Sequence, residues 1–284
     1  MKKELTKEEI LNEIKAYSPN SEILTLSTLM ALNQKINVCN LGNAGIGKSR
    51  NTEELLNLLK MPHSLVAGHI TPRAFFDILK KDGVIVVDEG ATILSDSIIQ
   101  NLLLNALWNG KVEWKNNREE YSHYFKGMIL FNTNDLSNSP IMKALTDRIF
   151  TNRIELNSDQ IKEKILSSKN YKPNIKIWAE IKERVLKDKT ELSEPEKERL
   201  YQIIESGEPK SVRDIWKLKI IASFSKALLG DLSLIEYFTV TDEMWRIINM
   251  NIKRSEKVKK ISELKCITER GARKIISKYE DKKK

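Results

Sequence analysis

The chain has 284 residues and a formal net charge of +9, with 40% hydrophobic and 31% charged residues, a composition that can build a core and excludes wholesale disorder. No apolar run approaches the roughly 20 residues of a membrane-spanning helix, and the charged N-terminus lacks a signal peptide, so we expect a cytoplasmic protein without a membrane partner. Cys39 and Cys266 lie far apart without a CxxC motif, which argues against a disulfide framework and a structural zinc site.

Strands and helices alternate in the first half of the predicted structure. In chain order, the sequence predicts helices over 4–17 and 21–33, a buried strand over 36–41, a helix over 50–60, a buried strand over 83–89, a helix over 96–108, a hairpin with strands 111–114 and 121–125, and a buried strand over 127–134. The nearly continuous β-branched run at 83–89 is typical of a parallel strand covered on both faces. After about residue 155 helical periodicity replaces the strand signal, so we expect an α/β domain followed by a helical one.

Residues 42–49 match the phosphate-loop pattern GxxxxGK[ST] at every defined position, between a predicted strand and a predicted helix. The glycines let successive backbone N–H groups face one anion, and the following helix adds its positive end. Lys48 can supply a cation to the β- and γ-phosphates, and Ser49 can offer a hydroxyl to Mg²⁺. The expected nucleotide-binding residues are Gly42, Asn43, Ala44, Gly45, Ile46, Gly47, Lys48, Ser49 and Arg50. The alternative is a glycine-rich turn without a ligand.

Two adjacent carboxylates, Asp88 and Glu89, end the predicted strand 83–89. A carboxylate at the carboxyl end of a central strand lies beside the phosphate loop and can hold Mg²⁺. The carboxylate after it can polarise the attacking water as a general base. We therefore expect Asp88 to be a metal residue together with Ser49, and Glu89 to be the catalytic base; Asp88 could alternatively cap a helix.

The order of glycine loop, acidic strand end, hairpin, polar-tipped strand and helical region resembles that of the AAA+ ATPases, over about residues 20–250. This resemblance implies a P-loop NTPase fold, a three-layer α/β sandwich with a parallel sheet, followed by an all-α lid. It places the base domain at 1–156 and the lid at 157–252, and leaves 253–284 as a small helix-turn-helix-like end. It also implies ATP and Mg²⁺ as cofactors and a ring of subunits, expected to be a hexamer.

Three more site residues follow from the same resemblance. Asn134 matches the polar sensor 1 residue at the tip of the strand, with Asn132 as the alternative, and either could instead cap a turn. The segment 144–150 is similar to the family's LxxRF segment, which makes Arg148 the expected arginine finger toward a neighbouring subunit. Arg153 is the alternative finger, and a surface ion pair is the alternative role of Arg148. Another arginine, Arg213 at the start of a helix, matches sensor 2, although it could simply face solvent.

The hairpin narrows the resemblance to the AAA+ branch that has a hairpin before sensor 1. Residues 104–114 and the polar turn after them carry this similarity. That branch includes MCM helicases, MoxR-type chaperones and bacterial enhancer-binding activators. In MCM-like rings the hairpin projects toward DNA, which implies phosphate contacts for Lys115 and Arg118. The alternative is an ordinary solvated hairpin.

Positive charge is concentrated at the C-terminal end. Residues 251–284 contain thirteen Lys or Arg and five Asp or Glu, so they carry nearly all of the net charge. Residues 258–276 resemble a helix-turn-helix, although Cys266 stands where the family usually has glycine. A second helix at about 268–278 would then enter a major groove and bring Arg270, Arg273 and Lys274 to the DNA. The alternative is the closing helix pair of the lid with an exposed basic face.

These features together predict an ATPase that couples hydrolysis to DNA binding or remodelling, as a replication-associated loader, initiator or helicase-like motor. Two other functions remain open at this point. One is a MoxR-like chaperone that remodels proteins, and the other is a slow ATP-dependent switch that binds DNA without moving it.

Overall fold

The computed structural model describes residues 5–81, 83–88, 93, 96–115, 119–134, 148–154, 156–187, 190–206, 212–235, 237–238 and 254–264. The helices are α1 (Lys7–Tyr17), α2 (Glu22–Gln34), α3 (Lys48–Leu58), α4 (Pro72–Leu79), α5 (Ser97–Trp108), α6 (Ser158–Asn170), α7 (Ile175–Leu186), α8 (Glu194–Ser206), α9 (Val212–Leu229) and α10 (Arg254–Leu264). The strands are β1 (Val38–Gly42), β2 (His63–Val66), β3 (Val84–Asp88), β4 (Lys111–Lys115), β5 (Glu120–Tyr124), β6 (Met128–Thr133) and β7 (Phe150–Ile154).

Short polar residues define where several helices begin. Thr6 and Glu9 form a capping box at the start of α1, and Asn157 and Gln160 form another at the start of α6. Asp96 accepts hydrogen bonds from the backbone N–H groups of Ile98 and Ile99, which satisfies orphan donors at the start of α5. The caps of α1 and α5 explain why these two helices begin within three residues of their predicted starts.

The five-stranded sheet has the order β2-β3-β6-β1-β7, and its paired strands are all parallel. β1 therefore lies inside the sheet, between β6 and β7. The carboxyl ends of parallel strands share one edge, so the loop after β1, the acid at the end of β3 and the residue after β6 meet there. The hairpin of β4 and β5 forms a separate two-stranded sheet.

Successive residues of β3 supply different cores, one on each face of the sheet. Val84 and Val86 belong to the cluster that includes α2 and α3, whereas Ile85 and Val87 belong to the cluster of α4 and α5. Because a strand turns alternate side chains to opposite faces, both faces need apolar residues. The α/β class with a parallel sheet covered on both faces is confirmed.

The helices after β7 share a core with the sheet. Trp178 of α7 and Phe224 of α9 are fully buried in the same cluster as Leu29 of α2 and Val38 of β1. A side-chain amide of Asn33, in α2, also donates to the backbone carbonyl of Val185. The predicted boundary at residues 156 and 157 thus separates elements that bury one continuous apolar surface.

The sequence interpretation missed three elements, β2, α4 and β7. β2 is short and only half buried. In β7 the buried residues Phe150, Asn152 and Ile154 alternate with the less buried Thr151 and Arg153. Neither strand has the continuous apolar run that marked β3 and β6. Among the described helices, none is both long and apolar enough to span a membrane.

Candidate functional site

The loop after β1 owes its shape to two glycines with left-handed backbone. Gly45 and Gly47 have φ angles of 77° and 78°, which side chains other than glycine adopt at a cost. A third glycine, Gly42, has a different role: a Cβ atom there would lie 2.0 Å from the carbonyl oxygen of Ile154. Gly42 is thus required by the close approach of β7, while Gly45 and Gly47 curl the loop at the N-terminus of α3.

Lys48, the first residue of α3, is held inside the loop. Its side chain is 6% exposed, and its Nζ donates to the carbonyl oxygens of Gly42 and Asn43, each at 2.9 Å. It also donates to Oδ1 of Asn134 at 2.8 Å. Burial lowers the pKa of Lys48, and the nearby Asp88 carboxylate partly opposes this effect. The ammonium group is therefore positioned by neutral oxygens that an incoming anion can replace.

Ser49 and Asp88 are in direct hydrogen-bond contact, although 39 residues separate them. The Ser49 hydroxyl donates to Oδ1 of Asp88, which lies at the carboxyl end of β3. Asn134, just after β6, contacts Lys48 on the same edge of the sheet. Four of the predicted site residues, Lys48, Ser49, Asp88 and Asn134, are thus brought together by three different strands.

Asn132 lies elsewhere, in a buried polar network under the sheet edge. It is fully buried, its Oδ1 accepts from Nδ2 of Asn40 at 3.1 Å, and its Nδ2 donates to Oγ1 of Thr52 at 3.3 Å. Ser27 of α2 donates to the same Asn40 side chain at 2.8 Å. Buried amides need such partners, so Asn132 ties β6 to β1 and α3, whereas Asn134 is exposed beside Lys48.

A second lysine, Lys164 of α6, donates a hydrogen bond to the backbone of the glycine loop. Its Nζ donates to the carbonyl oxygen of Ile46 at 3.0 Å and to Oγ of Ser21 at 2.6 Å. Burial lowers its pKa from the ordinary value of 10.5 to about 8, while the carboxylates of Glu22 and Glu54 oppose the shift. The sequence interpretation missed Lys164 because nothing in its local pattern distinguishes it from its lysine neighbours.

The depressed pKa of Lys164 predicts a pH effect on folding. Above about pH 8 the folded protein releases this proton while the unfolded chain keeps it, so stability should rise relative to Lys164→Met as the pH increases toward 10.5. Below pH 8 both states are protonated, and the difference between the two proteins should be constant. Denaturant unfolding from about pH 7 to about pH 10 measures this difference. Lys162→Met, at an exposed position of α6, is the control, and a pH-independent difference for Lys164→Met would contradict the prediction.

Arg148 lies at the opposite end of the sheet from the loop. Phe150, the first residue of β7, is level with Val38 at the start of β1, and the loop follows Gly42 at the end of β1. Four strand residues, about 13 Å, separate these two levels. The Arg148 guanidinium stacks on Trp108 at 4.5 Å from the ring centroid. Arg153, the alternative finger, is level with Leu41 and so lies near the loop end of the sheet.

The other predicted residues are placed as follows. Arg50 pairs with Glu54 at 2.7 Å and is exposed, and Lys115 pairs with Glu120 at 2.9 Å at the end of the hairpin. Arg213 is the second residue of α9, but its side chain is outside the described part. Five predicted site residues lie outside the described ranges: Glu89, Arg118, Arg270, Arg273 and Lys274.

Chemically, the loop presents amide donors and a buried ammonium group, a combination that suits a phosphate chain. Ser49 and Asp88 add a hydroxyl and a carboxylate, the hard oxygen donors that Mg²⁺ prefers. Among the described residues, no group of three or more His, Cys, Asp or Glu side chains could form a closed metal cage. No protein-family model matches the chain, and no curated protein matches it significantly.

Proposed function

We propose that this protein is an ATPase of the AAA+ type that couples ATP hydrolysis to work on DNA. The observation that carries the proposal is the convergence of Lys48, Asn134, Ser49 and Asp88 at one edge of the parallel sheet. A loop that grips phosphates needs a cation, a metal ligand and a polar group beside the attacked phosphate. All three are available where β1, β3 and β6 end: Lys48 donates a hydrogen bond to Asn134, and Ser49 donates one to Asp88.

The oxygen donors of the site fit Mg²⁺. The ion usually keeps several waters and takes only one or two protein ligands together with phosphates, so a hydroxyl and one carboxylate suffice. Bound there, Mg²⁺ would neutralise charge on the phosphates. Ser49 and Asp88 would hold it, Lys48 would exchange its carbonyl partners for phosphate oxygens, and Asn134 would orient the attacking water. Glu89, the next residue after Asp88, is the proposed base.

The position of Arg148 supports an assembly of subunits. Arg148 precedes β7, while the loop follows the far end of β1, so this arginine cannot reach the phosphates of its own chain. A guanidinium that stabilises charge on a transferred phosphoryl group would have to come from a second copy. The proposed ATPase is therefore a ring, with the hexamer as the expected size.

The charge of the C-terminal end supports DNA as the partner. α10 buries Val258 and Ile261 and exposes Lys259 and Lys260, so it is an amphipathic helix with a basic outer side. Residues 251–284 hold thirteen cations and five acids. A basic surface of this kind binds polyanions through the release of counterions from phosphates.

ATPase rates with and without single- and double-stranded DNA test the whole proposal. We expect DNA to stimulate hydrolysis and to bind with an affinity that falls steeply as salt rises. Replacing Arg270, Arg273 and Lys274 by glutamine should weaken DNA binding by about tenfold or more, since each of these cations is expected to contact bases or phosphates. Lys162, Lys172 and Lys176 replaced by glutamine form the matched control, because they are three exposed cations outside the basic C-terminal end.

The same measurements discriminate the rival functions. A rate of hydrolysis that DNA does not change, together with equal DNA affinity in the variants of the proposed recognition helix and in the control variants, would favour a chaperone that acts on protein. DNA binding that depends on ATP, with slow turnover and no unwinding or translocation, would favour a switch. Absence of ATP hydrolysis under all conditions would overturn the proposed enzyme.

A further inference from the structure

Trp108 is unusually exposed for its type. It is the last residue of α5, and its side chain is 73% exposed, the highest fraction among the large hydrophobic side chains that the structure describes as exposed. The guanidinium of Arg148 lies over its ring. Arg148 is also near the carboxyl end of α5, where the helix dipole favours a cation. The exposed indole ring of Trp108 thus contacts Arg148, the arginine proposed to act on phosphate.

The exposed side of α5 has no charge. Ile98, Asn101, Asn105 and Trp108 recur at helical spacing and are all exposed, with Ile98 at 51%. The whole helix, SIIQNLLLNALW, contains no charged residue. Free helix surfaces normally carry charges, whereas the centres of protein interfaces lose charge and gain tryptophan and arginine. The outward side of α5 therefore has the composition of a buried contact.

We propose that the outward face of α5, defined by Ile98, Asn101, Asn105 and Trp108, receives a second copy of this chain, and that Trp108 holds Arg148 in position for that copy's phosphate loop. This inference rests on the proposed function and adds a positioning residue to it. Trp108 touches neither nucleotide nor metal in this scheme. It acts through the guanidinium that it stacks against.

A second copy is the occupant because of where Arg148 lies. The Arg148–Trp108 pair is at the opposite end of the sheet from the loop of its own chain. A second copy could place the nucleotide bound in its glycine loop against the Arg148–Trp108 pair. Arg148 of the first subunit would then complete the active site of the second. Stacking restricts the long arginine side chain before the partner arrives, so less side-chain entropy remains to be lost in the complex. Docking would also exclude water and strengthen the cation–π contact.

Trp108→Ala, Trp108→Phe and Tyr201→Ala test this role. Trp108→Ala should lower kcat about tenfold while the affinity of each subunit for nucleotide is unchanged, since a desolvated cation–π contact contributes at about that level. Trp108→Phe should retain most of the rate because phenylalanine keeps an aromatic face. Tyr201→Ala removes another exposed aromatic side chain, 53% exposed on α8, and should leave kcat unchanged. The high exposure of Trp108 means that its loss should not affect folding, which a thermal melt verifies.

Mixing subunits provides the readout that a purely structural role would not produce. A Lys48→Ala subunit has a defective loop but an intact Trp108–Arg148 pair, so it should partly restore hydrolysis by a Trp108→Ala subunit. A wild-type rate for Trp108→Ala, an equal loss with phenylalanine, or no recovery on mixing would overturn the inference.

Failure of the proposed function looks different. If the wild-type chain hydrolyses no ATP at any concentration, the ATPase itself is wrong. If wild type hydrolyses ATP and Arg148→Ala is impaired while Trp108→Ala hydrolyses ATP at the normal rate, only the positioning role of Trp108 is contradicted.

Discussion

ATP should still bind to the Glu89→Gln protein, while hydrolysis falls by roughly 10²- to 10⁴-fold, the usual contribution of a general base. Glutamine keeps the size of the side chain and removes the group that accepts the proton from water. Asp88, the residue before Glu89 in the chain, contacts Ser49 in the first turn of α3. Nucleotide affinity and single-turnover hydrolysis measure the two effects separately.

Lys48→Ala is the matched comparison for Glu89→Gln. This change removes the buried ammonium that donates to Gly42, Asn43 and Asn134, so it should weaken nucleotide binding by about tenfold to a hundredfold. The two variants should thus separate binding from chemistry. Turnover near the wild-type level in Glu89→Gln would show that another group accepts the proton, and normal nucleotide affinity in Lys48→Ala would disprove the phosphate site.

Arg148→Ala should reduce hydrolysis by about 10³- to 10⁵-fold, as loss of an arginine finger does. Mixed with Lys48→Ala subunits, it should recover part of the activity. A Lys48→Ala subunit still carries Arg148 and can present it to the intact loop of its neighbour. Steady-state ATPase rates across mixing ratios, at constant total protein, measure the recovery.

Arg153 provides the discriminating control for this experiment. It is level with Leu41 and near the loop end of β7, so any contribution to catalysis would come from within its own chain. Mixing with Lys48→Ala subunits therefore should not rescue Arg153→Ala. A larger loss in Arg153→Ala than in Arg148→Ala, or the absence of recovery in the Arg148→Ala mixture, would rule out Arg148 as the finger that acts between subunits.

Sequence patterns that are local were sufficient for much of the fold. Residues 42–49 specify a glycine loop because the backbone requirement lies within the loop itself, and the structure shows left-handed backbone at Gly45 and Gly47. β3 and β6 were predicted because strands covered on both faces need a continuous apolar run. β7 lacked that signal, and it became a strand through its pairing with β1, where Gly42 allows the close approach of Ile154.

By itself, then, the sequence determined the glycine-rich loop, the acid at the end of β3 and the α/β class, because each depends on neighbours in the chain. Only the tertiary structure decided that Asn134 contacts Lys48 while Asn132 is buried. Asn132 lies within β6 and meets Asn40 and Thr52, whereas Asn134 follows the end of the strand, and these partners come from other elements of the fold. It also brought Lys164 to the loop and Trp108 to Arg148. Those contacts join residues 40 or more positions apart, and no local pattern encodes which distant side chain arrives.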